Sequence, residues 1–170
     1  MTGPTPGRNQ RGEVAMIGQE VRAFIASART ATLATVGPTG VPHLVAMWFA
    51  LLDGEVWFET KAKSQKAVNL RRNPGLCCLL EAGDSYPALR GVALEGTAEI
   101  VEDPEVLWRI GVSLHERYVA PYDDSAAAQA AASVRNRIAV RLQVARVRSW
   151  DHRKLSLPDG GPGGSTWPPP

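Results

Sequence analysis

Hydroxyl and ammonium side chains are concentrated in one segment, residues 58–74. Thr60 ends a β-rich run, Ser64 precedes a short helical pattern, and Lys66 falls in the first turn of that helix. The N-terminus of a helix binds anions because its unpaired N–H groups and its macrodipole favour negative charge. Lys66 would oppose this dipole unless an anion such as phosphate offset its charge. The segment therefore indicates either a phosphate site or a capped helix with a solvated basic face.

The other reactive side chains form no catalytic or metal-binding motif. The histidines lack the spacing of metal ligands, and Val119 stands where a zinc-protease motif starting at His115 needs its second histidine. Cys77 and Cys78 are adjacent on a predicted strand, so they point to opposite faces and suit packing better than redox chemistry. His43 is a less favoured candidate for a proton donor. The sequence therefore predicts no metal and identifies no catalytic residue.

Length and composition exclude several classes of protein. The chain has 170 residues, 44% of them hydrophobic, and a formal net charge of +2. This length allows one domain with a substantial core, and the small net charge gives no reason to expect a nucleic-acid partner. No stretch approaches the roughly 18 apolar residues of a membrane span, and residues 1–16 lack the apolar core of a secretion signal. Because the only two cysteines are neighbours, the sequence predicts a cytoplasmic protein without a disulfide framework.

Hydrophobic periodicity indicates the elements that must position residues 58–74. An Asp53-Gly54 hairpin turn and an N-cap at Asp103 followed by Pro104 mark two of the boundaries. The predicted helices span 17–28, 63–72, 104–118 and 125–133, and the predicted strands span 31–36, 41–52, 55–60, 76–82, 90–102 and 137–150. This order predicts a mainly β, α+β fold, a small antiparallel barrel with helices packed outside.

The two ends of the chain differ from this body. Residues 1–13 and 156–170 are rich in Pro and Gly, which favour neither helix nor central strand. Both segments are therefore predicted to be disordered tails. A single folded domain is expected over residues 14–155.

The spacing of Thr60, Ser64, Lys66, Asn69-Leu70 and Asn73-Pro74 resembles the flavin-phosphate segment of the pyridoxamine 5′-phosphate oxidase-like proteins. PHLVAMWF (42–49) and RGVALEGTAEIVED (90–103) occur in the expected order around it. The ending RVRSWDHRKL (146–155) is similar to the actinobacterial branch that uses the deazaflavin coenzyme F420. The resemblance implies a split β-barrel that forms a homodimer and binds its cofactor at the subunit interface.

The resemblance also implies roles for individual residues. Thr60, Ser64 and Lys66 correspond to the phosphate ligands, and Trp150 to a C-terminal aromatic that approaches a cofactor bound across the interface. The strand segment along the cofactor ring corresponds to Val45, Ala46, Met47 and Trp48. Because Phe49 alternates with Trp48, only one of that pair is expected to face the site.

Several basic residues near this segment have roles suggested by charge or position alone. Lys61 and Lys63 are candidates to meet the acidic oligoglutamate tail of F420. Arg71 and Arg72 lie late in the predicted helix, where cations suit the dipole, so a structural role is favoured for them. A polar cluster at the end of the last strand, residues 151–154, is an open candidate for lining the pocket.

The function implied is an F420-dependent reductase that transfers a hydride between the deazaflavin and a small conjugated substrate. Gln65 stands where FMN-using oxidases of the family carry Arg, which disfavours a pyridoxamine-phosphate oxidase. Two alternatives remain: an FMN-dependent oxidoreductase, and a protein that binds flavin, deazaflavin or haem without turnover.

Overall fold

The computed structural model describes residues 10–155, which form one antiparallel sheet and the helices packed on it. The sheet has seven strands in the order β2-β1-β5-β6-β7-β4-β3. They are β1 (Ala31–Val36), β2 (Pro42–Met47), β3 (Ala50–Leu52), β4 (Glu55–Lys61), β5 (Gly75–Ala82), β6 (Arg90–Val101) and β7 (Arg137–Asp151). The helices are α1 (Gln10–Val14), α2 (Gly18–Ser27), α3 (Gln65–Arg72), α4 (Pro104–Tyr118) and α5 (Ala127–Val134). The α+β split β-barrel expected from the sequence is confirmed.

The link between β2 and β3 determines the shape of the sheet. These two strands occupy opposite edges of the sheet, yet only Trp48 and Phe49 separate them along the chain. Such a short link is possible only if the sheet curls until its two edges come close together. The prediction of one continuous strand over 41–52 is therefore wrong, because an unbroken apolar run gives no local sign of the break.

Contacts with α4 explain why the chain breaks at this point. The Tyr118 hydroxyl accepts a hydrogen bond from the Phe49 N–H (3.1 Å) and donates one to the Phe49 carbonyl (3.2 Å). The Ser113 hydroxyl bonds in the same way to the N–H (3.2 Å) and carbonyl (3.3 Å) of Leu51. Two α4 side chains thus satisfy backbone groups along an edge that no strand covers.

The barrel interior and the outer face beneath α4 and α5 form two separate cores. The interior holds the largest fully buried side chains, including Phe49, Phe58 and Leu80. The outer core packs Trp57 of β4 against α4 and α5. The long β-strands therefore bury one face inside the barrel and part of the other under helices.

Local signals in the sequence agree with the structure at several positions. Asp53 and Gly54 have φ of 55° and 80°, as the predicted hairpin turn requires. Asp103 caps α4 by accepting from the Glu105 N–H at 2.8 Å. Cys77 is exposed and Cys78 is buried, and burial raises the pKa of the Cys78 thiol to about 12. The predictions of the turn, of the cap and of opposite faces for the two cysteines are confirmed.

Helical structure begins earlier in the chain than predicted. Helix α1 starts at Gln10, inside the segment 1–13 that was expected to be a tail. It is followed by a chain segment tied to β7, where the Met16 N–H donates to the Ser149 hydroxyl at 3.0 Å. Lys154 also donates to the Ala15 carbonyl at 2.8 Å. These contacts are long-range, so local composition could not reveal them; the rest of both predicted tails, 1–9 and 156–170, lies outside the described residues.

We expect Tyr118→Phe to lower the free energy of unfolding by roughly 1–3 kcal/mol, because the Phe49 N–H and carbonyl both lose their partner. Chemical denaturation of the variant and the unaltered protein measures this difference. Tyr86→Phe is the matched control, since Tyr86 is exposed and its replacement should cost under about 0.5 kcal/mol. Equal losses in the two variants would show that Tyr118 does not hold the link.

Candidate functional site

Thr60 and Ser64 lie where β4 ends and α3 begins. Thr60 is only 3% exposed, and its hydroxyl lies 3.0 Å from the Ser64 hydroxyl. Ser64 is the N-cap of α3, and its side chain accepts from the Ala67 N–H at 3.4 Å. The N–H groups of Gln65 and Lys66, in the first turn, have no acceptor within the helix and remain able to bind an anion. The capped helix is therefore present, and it leaves an anion position at its end.

Buried polar contacts fix the position of α3 against β1. The Asn69 amide donates to the Thr35 hydroxyl at 3.0 Å, and both residues are buried. The Gln65 amide in turn donates to the Asn69 side-chain oxygen at 2.8 Å. Arg71 and Arg72 donate to the carbonyls of Ala62 and Val36. Arg71 and Arg72 therefore have the structural role predicted for them. Together these contacts fix α3 against β1, and with it the positions of Ser64 and Lys66 at the N-terminal end of the helix.

Lys66 shares its surroundings with a carboxylate and a second cation. Glu59 of β4 forms an ion pair with Arg137 of β7 at 2.6 Å. Burial raises the pKa of Glu59, although Arg137 and Lys66 act in the opposite direction. Burial also lowers the pKa of Lys66, against the attraction of Glu59. The carboxylate offsets one of the two cations, so the cluster keeps a net positive charge that an anion can balance.

An open groove of about 820 Å³ extends from this cluster along the same end of β4 and β7. Its cationic residues are Lys61, Lys63, Arg135 and Arg137, and Glu102 is its only carboxylate. The groove therefore brings Lys61 and Lys63, the two lysines predicted to meet an acidic cofactor tail, together with Arg135 and Arg137. Its excess of positive charge suits a flexible ligand that carries several carboxylates.

The predicted ring-binding segment lies on the edge strand β2. Val45 and Met47 turn their side chains toward the core, whereas Ala46 and Trp48 are exposed. Only the last two can therefore offer side chains to a ligand on the outside of the sheet. The indole of Trp48 is 59% exposed, and Phe49 is fully buried, so the predicted opposition of Trp48 and Phe49 is confirmed.

Trp150 does not join this cluster within one chain. It lies opposite Gly91 on β6, so close that a Cβ added to Gly91 would come within 2.4 Å of the indole. Ile138, the β7 partner of Thr60, lies twelve residues earlier on the strand, which corresponds to roughly 40 Å at 3.3 Å per residue. Trp150 and the β7 partner of Thr60 therefore lie near opposite ends of this strand.

The polar cluster at residues 151–154 is occupied by structural contacts. Asp151 is buried and paired with Arg153 at 2.6 Å, which holds the pKa of that carboxyl below its ordinary value. Lys154 pairs with Glu20 of α2 at 2.6 Å. Asp151 and Arg153 line a separate hollow beside α2. The cluster thus lies away from the β4–α3 junction.

Sequence reasoning did not identify Glu59, Arg137 and Arg135 as parts of the site. Arg137 lies opposite Lys61 only through the pairing of β4 with β7, two strands far apart in sequence. Glu59 alternates with the buried Phe58, and this period-2 pattern is the one signal that could have placed it on the outer face. Within residues 10–155 no group of acidic, His or Cys side chains is arranged to hold a metal ion. Over the same residues, every helix is too short or too polar to cross a membrane.

The curled antiparallel sheet and its helices define the class of split β-barrels. Residues 17–151 match the family described as pyridoxamine 5′-phosphate oxidase. The match covers more than half of the chain, and the chain belongs to this family. Among curated protein sequences, none matches the chain.

Solved structures agree with this assignment. The chain is similar to the crystal structure of the conserved hypothetical protein Rv2991 from Mycobacterium tuberculosis, with 56% identity, a TM-score of 0.88 and coverage of 94% of this chain and 99% of that one. A structure named F420 reductase is 29% identical with a TM-score of 0.56, covering 74% of this chain and 94% of that one. The haem storage protein HutZ from Vibrio cholerae shares the fold at 19% identity and a TM-score of 0.60, covering 77% of this chain and 92% of that one.

We expect Lys66→Met to weaken binding of inorganic phosphate about tenfold, because the junction loses a cation beside the helix end. Glu59→Gln should instead strengthen binding, since it removes the carboxylate that competes for Lys66 and Arg137. Phosphorus NMR titration of each variant measures the affinity. Lys154→Met, which removes a lysine paired with Glu20, is the control and should bind phosphate like the unaltered protein. Weaker binding by Glu59→Gln would contradict this account of the charges.

Proposed function

We propose that this protein is a cytoplasmic F420-dependent oxidoreductase that reduces a small conjugated organic substrate. The observation that carries this proposal is the groove with four cations and one carboxylate, which begins at the β4–α3 junction. A cofactor held by its phosphate at Ser64 and Lys66 would extend an acidic tail into this groove. F420 carries such a tail and FMN does not. The similarity to a structure named F420 reductase supports the same choice.

The residues at the junction fit a phosphate-bearing cofactor. Ser64 offers a hydroxyl whose orientation is set by a hydrogen bond with the Thr60 hydroxyl, 3.0 Å away. Lys66 is half-buried, which lowers its pKa, and a charge in such surroundings interacts more strongly with an anion than one in water. The N-terminus of α3 adds unpaired N–H groups and a favourable dipole.

The protein's part in the reaction is to hold and shield the reactants. Deazaflavin supplies the hydride when it is bound. Ala46 and Trp48 would lie along the cofactor ring, and the edge of β2 would present backbone N–H and carbonyl groups to it. Thr60, Ser64 and Lys66 would hold the phosphate of the cofactor. With the ring and the phosphate both held, the ring is oriented toward a substrate, and this restriction is a large part of what a binding site contributes to rate.

The functional unit in this proposal is a homodimer with the cofactor at the subunit interface. Beyond its pairing with β4, the strand β7 leaves Val144 and Val147 exposed at 45% and 47%. Apolar side chains on a strand with one free edge favour association with a second copy. A second copy would also bring its own Trp150 to the cofactor, since Trp150 lies at the far end of β7 from the junction within one chain.

We expect the double substitution Val144→Arg and Val147→Arg to shift the protein from dimer to monomer, because charged side chains would have to be buried in the interface. Sedimentation velocity measures the change. Val68→Arg, at an exposed valine on α3, is the control and should leave the dimer intact. If the double variant remains a dimer, Val144 and Val147 do not lie in the dimer interface.

We expect the unaltered protein to bind F420 more tightly than FMN, and Lys61→Met with Lys63→Met to weaken F420 binding about tenfold through loss of charge contacts with the tail. The same double variant should bind an F420 analogue without glutamates as well as the unaltered protein does. Titration followed by cofactor fluorescence measures all of these affinities. Tight FMN binding without affinity for F420 would favour the FMN-dependent alternative and contradict the proposal.

Binding without turnover is the remaining alternative. An enzyme should oxidise its bound reduced F420 when a conjugated enone or nitro compound from a test panel is added. The increase in absorbance at the visible band of oxidised F420 measures this reaction. If F420 stays reduced with every compound of the panel, a protein that binds the cofactor without turnover is favoured.

A further inference from the structure

A hollow of about 380 Å³ lies between α2 and the paired ends of β6 and β7. Glu20, Ala23, Phe24 and Ser27 form its α2 wall, and their spacing places them on one face of that helix. The volume falls within the range of roughly 300–1,000 Å³ for small-molecule sites. Neither the β4–α3 junction nor the segment proposed for the cofactor ring contributes a lining residue.

The opposite wall of the hollow consists of strand residues. Arg90 and Asp151 lie there, and they face each other as partners in the pairing of β6 with β7. The next pair along the two strands is Gly91 with Trp150, the residue that the proposed function brings to a cofactor. Successive pairs in a sheet point to opposite faces. The hollow therefore lies on the face of the sheet that Trp150 does not occupy.

Three of the four charged side chains that line the hollow are paired within residues 10–155. The carboxylate oxygens of Asp151 accept hydrogen bonds from the Arg153 guanidinium at 2.8 and 2.6 Å. This two-point contact holds the pKa of Asp151 below its ordinary value, so the carboxylate stays charged and bonded to Arg153. Glu20 accepts a hydrogen bond from the Lys154 ammonium at 2.6 Å. Arg90 is the fourth charge.

Arg90 forms none of the ion pairs or side-chain hydrogen bonds that join residues 10–155. Its guanidinium lies over the ring of Phe24, 5.8 Å from the centroid, and its Nε is enclosed without a partner. Asp151 attracts this charge, yet its oxygens already accept bonds from Arg153. Because Arg90 is half-buried, it attracts an anion more strongly than a cation in water would.

Apolar side chains line the hollow beside Arg90. Phe24 is buried beneath the guanidinium, Met16 is half-buried, and Ala23 is exposed. A few polar groups placed among apolar walls are the usual form of a small-molecule site, in which the polar groups fix the orientation of the ligand. The hollow therefore suits a compact apolar molecule that carries one negative charge.

We propose that this hollow is a second ligand site, which binds a small monocarboxylate with a flat apolar group. The carboxylate accepts hydrogen bonds from the terminal guanidinium nitrogens of Arg90, and the apolar group packs against Met16 and Ala23. Counted with Lys154, three cations oppose two carboxylates here, so one negative charge completes the balance. The site requires no cofactor and is independent of the proposed function.

The probe for this site is 2-naphthoate, and 2-naphthamide is a neutral control of nearly the same shape. In NMR titrations of the full chain, 2-naphthoate should shift the amides of Ala23, Phe24 and Ser27. It should bind about tenfold more tightly than 2-naphthamide, because only the carboxylate pairs with the charge of Arg90. Shifts confined to another surface, or equal affinity for the two probes, would overturn the proposal.

Arg90→Met should weaken 2-naphthoate binding about tenfold and leave 2-naphthamide binding unchanged, since it removes the charge and keeps a long apolar side chain. Arg22→Met is the matched control, because Arg22 is an exposed arginine of α2 that does not line the hollow. If Arg90→Met does not fold, Ala23→Trp fills the hollow from an exposed position and should block both probes. Unchanged 2-naphthoate binding in either folded variant would contradict the proposal.

Competition separates this site from the proposed cofactor site. Saturating F420 should leave 2-naphthoate bound, and displacement would assign the hollow to the cofactor site and overturn a separate one. A protein that binds 2-naphthoate as predicted but does not bind F420 would contradict the proposed function alone.

Discussion

The two-residue link of Trp48 and Phe49 is the constraint on which the rest of the structure depends. It joins the two edge strands of a seven-stranded sheet, so the sheet must curl until those edges meet. Phe49 fills the barrel interior, while hydrogen bonds from Tyr118 hold its backbone to α4. Trp48 is left outside. The position of α4, the closure of the barrel and the exposed indole thus follow from one short segment.

The electrostatics of the site follow from the same curled sheet. Pairing of β4 with β7 brings Glu59, Lys61 and Arg137 together at one end of the two strands. Helix α3, anchored to β1 by Asn69, places Lys66 beside this group. The half-buried carboxylate of Glu59 offsets part of the repulsion between Arg137 and Lys66, and the net charge of the cluster is positive. The fold therefore assembles a cluster with an excess of positive charge from segments that are far apart in the sequence.

Local chemistry in the sequence predicted much of the fold. The turn at Asp53-Gly54, the cap at Asp103 and the limits of α4 depend on neighbouring residues alone, and the structure agrees with them. The break at Trp48 and Phe49 could not be predicted, because it depends on contacts with Tyr118, which is 69 residues from Phe49. Tertiary contacts override the local pattern in such cases.

The candidate site was predictable only in part, for the same reason. The β4–α3 junction is a local feature, so Thr60, Ser64 and Lys66 were accessible from the sequence. Arg137 joins the site through a strand pairing that no local pattern records.

The measurement that tests the central claim most directly is a crystal structure of the protein grown with F420. The account predicts cofactor phosphate oxygens within hydrogen-bonding distance of the Ser64 hydroxyl and Lys66 Nζ, with the acidic tail in the groove of Lys61 and Lys63. A phosphate bound elsewhere on the barrel, with the N-terminus of α3 facing only solvent, would contradict it.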